Sequence, residues 1–280
     1  MHYYLSLIAF IFLLMALWLS WQNWLYFRRL RLQKKIAHEP FPPEWLPWLE
    51  RIPHYRALPD DLREELQRKL RYFIATKEFI GIKIDVTDEM RVVIAFYACL
   101  LVLKIPNECY EALRTILIYP YDMIAEQIST EGGIYRKEKM ILEGQSAGET
   151  VVIAWHEAKR QAYHLRNHNV VLHELAHVLD FEEGGFDGIP PLERSRLDEW
   201  SRILHRHYCS LHERAVKNRD WGRYRLIGEY AATNEAEFFA VTTGLFFQKP
   251  LALKKHFPDL YEEYREFYGL DTASLFKNLE

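Results

Sequence analysis

The stretch His173-Glu174-Leu175-Ala176-His177 is an HExxH motif inside an apolar run, with Val170 to Leu172 before it and Val178-Leu179 after it. On a helix, positions four apart lie about 40° apart around the axis, so both imidazoles point the same way and can bind one metal ion. Glu174 lies about 100° from His173, within reach of a water on that ion. Two nitrogen ligands, an open position and an adjacent base predict zinc-assisted hydrolysis.

The motif alone is weak evidence for this chemistry. The chain has 12 His and 39 acidic residues among 280, and a chain of that composition contains HExxH by chance in roughly 1 case in 20. The surrounding sequence therefore has to supply the rest of the site.

Composition narrows the class of protein. Hydrophobic residues make up 49% of the chain and aromatic residues 15%, which argues against disorder. The net charge of −3 gives no basic field, so direct binding of nucleic acid is not expected. Cys99, Cys109 and Cys209 form no CxxC pair and are interpreted as buried thiols of a reducing compartment.

The N-terminal residues 1–27 contain no Asp, Glu, Lys or Arg and are long enough to cross a bilayer as a helix. They lack the positive start and small-residue cleavage region of a signal peptide, and a buried core helix is the remaining alternative. A cationic group follows, comprising Arg28, Arg29, Arg31, Lys34 and Lys35. We therefore expect a single-pass anchor in the cytoplasmic membrane, with the remainder of the chain facing the cytoplasm.

The pattern of the remaining chain predicts an α+β fold that is mostly helical with a small sheet, preceded by one transmembrane helix. Helical spacing covers 62–80, 90–103, 166–180, 192–216, 236–247 and 261–268, and short strands are predicted at 116–120 and 151–155. The predicted division is an anchor at 1–27, a basic and Pro-rich linker at 28–43, and a catalytic domain at 44–280 with its core at about 115–250. The helix at 192–216 carries His205, His207 and His212, which are interpreted as a solvated face.

Zinc hydrolases usually take three protein ligands, and HExxH supplies two. A third histidine in an HExxHxxGxxH pattern is excluded, because Asp180 and Glu183 occupy the required positions. A carboxylate from a later helix is the other option, and Glu237 and Glu235 are the candidates. Glu237 also fits a capping box with Asn234, so a purely structural role for it stays open.

Three segments together resemble the Mlc titration factor A family of zinc peptidases: HELAHVLD at 173–180, GGFDGIPPL at 184–192 and EYAATNEAEFFAVTTGLFFQKPLAL at 229–253. The weaker likeness extends from about Trp45 to Tyr268. The resemblance implies a zincin-like domain of the gluzincin type, with a catalytic site similar to that of anthrax lethal factor. Its implied activity is zinc-dependent hydrolysis of peptide bonds in a peptide or protein substrate, with aminopeptidase action as one form. The alternative is a regulatory protein that sequesters a transcriptional repressor.

The resemblance also implies a role for each site residue. His173, His177 and Glu237 would bind one Zn²⁺ per chain, Glu174 would be the general base, and Tyr230 would stabilise the oxyanion. A core aromatic with a satisfied hydroxyl is the alternative for Tyr230. Asp180, three residues after His177, either orients a ligand histidine or contacts the following loop.

Overall fold

A computed structural model describes residues 2–105, 110–121, 149–165, 168–182, 185 and 187–279. The chain divides into two compact units, Met1–Phe41 and Pro42–Glu280. Cys109 and Glu183 lie outside the described residues. The sequence also predicts a turn from Gly144 to Gly148 and offers Asn167 beside Asn169 as the cap of the helix at 166–180, and this turn and Asn167 lie outside them as well.

The first unit is a single helix, α1 (His2–His38). At 1.5 Å per residue its 37 residues extend about 55 Å, which exceeds the thickness of a bilayer core. The segment Phe10–Ile36 is long and apolar enough to cross a membrane. The helix continues without a break through the cationic group at 28–35, so the change in composition there is not a change in backbone structure.

The second unit begins with helices that build the core around α5. Thr87 accepts a hydrogen bond from the Met90 backbone N–H and so caps the start of α5, whose apolar side chains from Val92 to Leu101 are buried. The predicted buried helix at 90–103 is therefore confirmed. The elements in this part are α2 (Leu46–Glu50), α3 (Pro53–Ala57), α4 (Asp60–Thr76), β1 (Glu78–Gly81) and α5 (Asp88–Leu101).

A three-stranded parallel sheet has the order β1-β2-β3, where β2 is Thr115–Tyr119 and β3 is Thr150–Ala154. Ile116 pairs with Phe79 on one side and with Val151 on the other. Both predicted strands are confirmed within one residue. The prediction of a helix through residue 80 is wrong, since α4 ends at Thr76 and the four-residue β1 follows.

The helices that carry the site follow the sheet: α6 (Trp155–Tyr163), α7 (Val170–Phe181), α8 (Leu197–Val216) and α9 (Glu235–Gln248). The HExxH helix α7 packs against α9, α5 and β3. It begins at Val170 rather than at 166, because the Asn169 side chain accepts hydrogen bonds from the N–H groups of Val171 and Leu172. Trp155 opens α6 and does not end the strand.

The C-terminal part packs on α9. Within the described residues it consists of α10 (Pro250–His256), α11 (Pro258–Tyr268) and α12 (Thr272–Leu275). Tyr264 and Tyr268 of α11 stack in parallel, with ring centroids 6.0 Å apart, and both contact Phe246 of α9. These aromatic contacts fix α9 from the side away from α7. The molecule is mostly helical with a small sheet, as the sequence predicts.

Candidate metal centre

The two motif histidines lie on the face of α7 that meets α9. His173 is buried and His177 is half-buried. Their rings are perpendicular, with centroids 4.8 Å apart, and their Nε2 atoms are 3.3 Å apart. The spacing of four residues places both imidazoles on one side of the helix, as the motif predicts.

Glu237 brings a carboxylate to these histidines from the first turn of α9. Its Oε2 atom lies 3.2 Å from Nε2 of His173 and 3.4 Å from Nε2 of His177. Asn234 caps the helix by accepting a hydrogen bond of 2.8 Å from the Glu237 backbone N–H. The capping and ligand interpretations are therefore compatible, since the backbone of Glu237 serves the cap and its side chain reaches the histidines.

The three atoms fit a metal ion by spacing and by chemistry. Bonds of 2.0–2.1 Å in a tetrahedral zinc site place neighbouring ligand atoms about 3.3–3.4 Å apart. The observed separations are 3.3 Å between the nitrogens and 3.2 and 3.4 Å from nitrogen to oxygen. His173, His177 and Glu237 form a group that could hold a metal ion. Two imidazoles and one carboxylate suit zinc and other divalent transition metals.

Electrostatics at the centre favour an anionic Glu237. Burial acts to raise the pKa of its carboxyl group, but hydrogen bonding to His173 and His177 outweighs burial and holds that pKa well below its usual range. The carboxylate form is the one that binds a cation.

Tyr230 adds a hydroxyl to the same carboxylate. Its O–H donates a hydrogen bond of 2.9 Å to Oε1 of Glu237, so each carboxylate oxygen has its own role. Oε2 faces the histidines and Oε1 faces the tyrosine. Because 51% of Tyr230 is exposed, the alternative that it is a core aromatic is wrong. It lies at the rim of the centre, with its ring centroid 6.0 Å from that of His173.

Two other glutamates lie near the motifs, and neither belongs to the group of candidate ligands. Glu174 is half-buried, and within the described residues no hydrogen bond joins its carboxylate to another residue. Glu235 is the other candidate for the third ligand, and its Oε1 atom lies 2.6 Å from Nδ1 of His205. It is on the side of α9 away from the metal group and is not part of it.

Asp180 is fully buried at the end of α7. Burial, and next the Asp187 carboxylate, raise its pKa to about 7, while His177 and the backbone N–H groups of Gly188 and Ile189 oppose that rise. These N–H groups act on the carboxylate electrostatically, because neither of its oxygens makes a hydrogen bond of good geometry within the described part of the chain. The predicted orienting role of Asp180 therefore stays a prediction.

His168 lies beside the centre but belongs to no sequence motif. The ring of His168 lies 5.3 Å from that of His173. Although His168 is partly exposed, desolvation, and next His173, lower its pKa to about 4, so it is neutral near pH 7. Its position directly before the helix cap Asn169 is the sole sequence signal for it.

The predicted solvated histidine face on α8 is wrong for one member. His207 is 2% exposed at its side chain, and its ring nitrogens contact the Tyr224 hydroxyl and the Asp259 carboxylate. It joins α8 to α11. His205 and His212 are exposed as predicted, and Nδ1 of His212 lies 2.9 Å from the Ala232 carbonyl oxygen.

Comparison with known proteins identifies the family of this chain. The family described as glucose-regulated metallo-peptidase M90 matches residues 27–269. The chain belongs to this family. The M90 match contains the whole metal group and Tyr230, and it leaves out residues 1–26 of the apolar segment.

Full-length relatives agree with the M90 match. An uncharacterized protein of Synechocystis sp. is 35% identical over 91% of this chain and 90% of its own length. Mlc titration factor A of Edwardsiella ictaluri is 31% identical over 83% of this chain and 90% of its own. The Mlc titration factor A of Serratia proteamaculans is 27% identical over 87% and 94%. The predicted family is confirmed.

Proposed function

We propose that this protein is a zinc-dependent peptidase whose single Zn²⁺ is bound by His173, His177 and Glu237. The observation that carries the proposal is the convergence of three ligand atoms, 3.2–3.4 Å apart, on the HExxH helix of an M90 family member. When bound, the ion supplies Lewis acidity, which acidifies water and polarises a scissile carbonyl.

The side chains around the ion perform the proton transfers and hold the charge. Glu174 takes a proton from the attacking water and passes it to the leaving amine. The Tyr230 hydroxyl, which is exposed at the rim, exchanges its bond to Glu237 for one to the developing oxyanion. Asp180, three residues after His177, would orient that ligand histidine.

Substrate binding has a candidate surface in β3. This strand packs against α7 and is an edge strand of the sheet formed by the described residues. An extended peptide can pair with such an edge through its main chain, which places a peptide bond beside the HExxH helix. Half-buried and buried residues alternate along β3, so the side chains of one face pack into the core. The backbone groups at the edge of the strand, which would pair with a peptide, are distinct from that face.

The activity is tested with the full-length chain in detergent and a panel of peptides. Hydrolysis should stop with a chelator and return with zinc. Glu174→Gln should lower turnover by about 100-fold or more, since it removes the base, and should leave the metal content unchanged. Glu193→Gln, at an exposed position, is the matched control. Equal turnover in Glu174→Gln and the wild type would reject the mechanism, and product masses distinguish aminopeptidase from internal cleavage.

We also propose that α1 crosses the cytoplasmic membrane once, with the Pro42–Glu280 unit in the cytoplasm. Within the candidate span Phe10–Ile36, the uncharged residues 10–27 come first and the cations from Arg28 to Lys35 follow, which supports this orientation. Protease added to right-side-out vesicles should leave residues 42–280 intact, and protease added to inside-out vesicles should degrade them. Degradation in right-side-out vesicles, or recovery in the soluble fraction, would contradict it.

A regulatory function is the second candidate, and the name Mlc titration factor A carried by several relatives favours it. In that case the chain would hold a transcriptional repressor at the membrane. Purified Mlc should then bind the immobilised full-length chain, and Glu174→Gln should bind it equally well. If Mlc binds neither the wild-type chain nor Glu174→Gln, the regulatory function is rejected and the peptidase proposal is unaffected.

A further inference from the structure

A second group of reactive side chains lies on the other side of α9 from the metal centre. His205 and Cys209 are one helical turn apart on α8, and Glu235 begins α9. Nδ1 of His205 is 2.6 Å from Oε1 of Glu235, and Nε2 of the same ring is 3.3 Å from Sγ of Cys209. Cys209 is exposed, so the expectation of three buried thiols is wrong at this position, whereas Cys99 is buried as expected.

The order of contacts defines the proton arrangement. A carboxylate only accepts hydrogen bonds, so Glu235 holds the proton of the neutral imidazole on Nδ1. The lone pair on Nε2 then faces the thiol, which donates its S–H to that nitrogen. A nucleophile, a base and an orienting carboxylate in this order activate cysteine in many enzymes.

A cavity lies beside this group. Its volume is about 330 Å³, and His205 and Glu235 form part of its wall together with the apolar side chains of Trp200, Leu204 and Phe238. Cys209 is not part of that wall, but His205 borders the cavity and contacts the Cys209 sulfur, so a small molecule in the cavity lies one side chain from the thiol. The cavity is separate from the metal group, because Glu237 points from the same helix turn toward α7.

We propose that Cys209 is a modification site that forms mixed disulfides with low-molecular-weight disulfides. Nε2 of His205 takes the thiol proton while Sγ forms a bond to one sulfur of the reagent. The original S–S bond breaks, its electron pair goes to the departing sulfur, and that thiolate takes the proton from the imidazolium. One disulfide and one thiol are consumed, and one of each is formed.

The test uses oxidised glutathione and the full-length chain in detergent. Peptide mass spectrometry after acid quenching measures the rate at which each cysteine gains glutathione. We expect Cys209 to react and the 2%-exposed Cys99 to stay unmodified. His205→Gln, which removes the base, and Glu235→Gln, which removes its orienting carboxylate, should each slow the reaction of Cys209 by at least about 10-fold.

His256→Gln, at an exposed position on α10, is the control and should react at the wild-type rate. Unfolding cannot imitate the expected result, because it would expose Cys99 and accelerate its modification. Equal Cys209 rates in the wild type and both variants, or no adduct at Cys209 in the wild type, would overturn the proposal. The assay follows the addition of glutathione to cysteine-containing peptides, so the result is independent of peptidase activity.

Discussion

The carboxylate of Glu237 is the residue-scale feature on which the site depends. Its two oxygens have different partners, since Oε2 lies within 3.4 Å of both histidines and Oε1 accepts the Tyr230 hydroxyl. A hydroxyl on Oε1 favours binding of a metal through Oε2 alone. Partners of this kind orient metal ligands, and their loss usually weakens metal binding.

Tyr230→Phe tests this division of the carboxylate, because it removes the hydroxyl and keeps the ring. We expect the dissociation constant for zinc to rise by about 10-fold, in addition to a lower turnover. Competition with a chelating dye measures the first effect without reference to activity. Tyr72→Phe on α4, a helix that carries none of the site residues, is the control. An unchanged zinc affinity would leave Tyr230 with a role in turnover alone.

At this scale the sequence predicts which residue types form the site better than it predicts where each side chain points. HExxH fixes both histidines because helical geometry makes positions four apart neighbours. It cannot decide between Glu235 and Glu237, since both occupy the first turn of α9. The choice depends on where α7 and α8 pack around that turn, with His173 on one side and His205 on the other. The burial of His207 is unpredictable for the same reason, as its partner Asp259 is 52 residues away.

At the scale of elements, the start of α9 is held by the loop that follows α7. Gly188 in this loop has a positive φ of 76°. A Cβ atom added there would lie 2.9 Å from the Glu235 carbonyl oxygen. The carbonyl oxygen of Gly188 also accepts a hydrogen bond of 2.9 Å from the Trp200 indole of α8. The loop thereby joins α8 to the helix turn that carries Glu237.

Gly188→Ala should therefore damage both stability and metal binding. Strain at φ 76° and contact with the carbonyl should lower the free energy of unfolding by about 1–3 kcal/mol, and displacement of the α9 turn should weaken zinc binding. Gly244→Ala in the same helix is a matched control, because its added Cβ meets nothing within 4 Å. Denaturant unfolding and zinc titration measure the two effects. Equal behaviour of the two variants would show that the loop does not position α9.

Helices are predicted correctly from the sequence where the hydrophobic pattern extends over many residues, and a strand is missed where the pattern covers only a few. The 14-residue helices α5 and α9 are predicted nearly in full. β1 is missed because its four residues continue an apolar spacing that began in α4. The parallel pairing of β1 with β2 is also missed, since it arises from long-range contacts across α5.

At the scale of the whole molecule, His54 connects the N-terminal part of the second unit to its C-terminal part. It is fully buried on α3, its Nε2 lies 3.1 Å from the Phe247 carbonyl of α9, and its ring packs against Tyr97 and Phe276. Burial lowers its pKa from 6.5 to about 4, and the hydrogen bond to Phe247 opposes this only in part. The folded protein thus keeps His54 neutral in a range where an unfolded chain protonates it.

This difference predicts loss of stability in acid. As the pH falls below 6.5, the unfolded state binds a proton that folded His54 does not accept until about pH 4, so the free energy of unfolding declines across that window. The contribution is at most about 3 kcal/mol. His54→Gln should reduce the decline between pH 6.5 and 4, and exposed His256→Gln should not. Unfolding with a chelator present excludes metal release as a cause, and identical pH profiles would contradict this role of His54.

The metal content of variants at the first turn of α9 tests the central claim most directly. Full-length wild-type protein, Glu237→Ala and Glu235→Ala are loaded with zinc, dialysed together and analysed by atomic emission. We predict about one zinc per chain in the wild type and in Glu235→Ala, and a much lower content in Glu237→Ala. A zinc content in Glu237→Ala equal to that of the wild type, or loss of zinc in Glu235→Ala, would contradict the assignment of His173, His177 and Glu237 as the metal ligands.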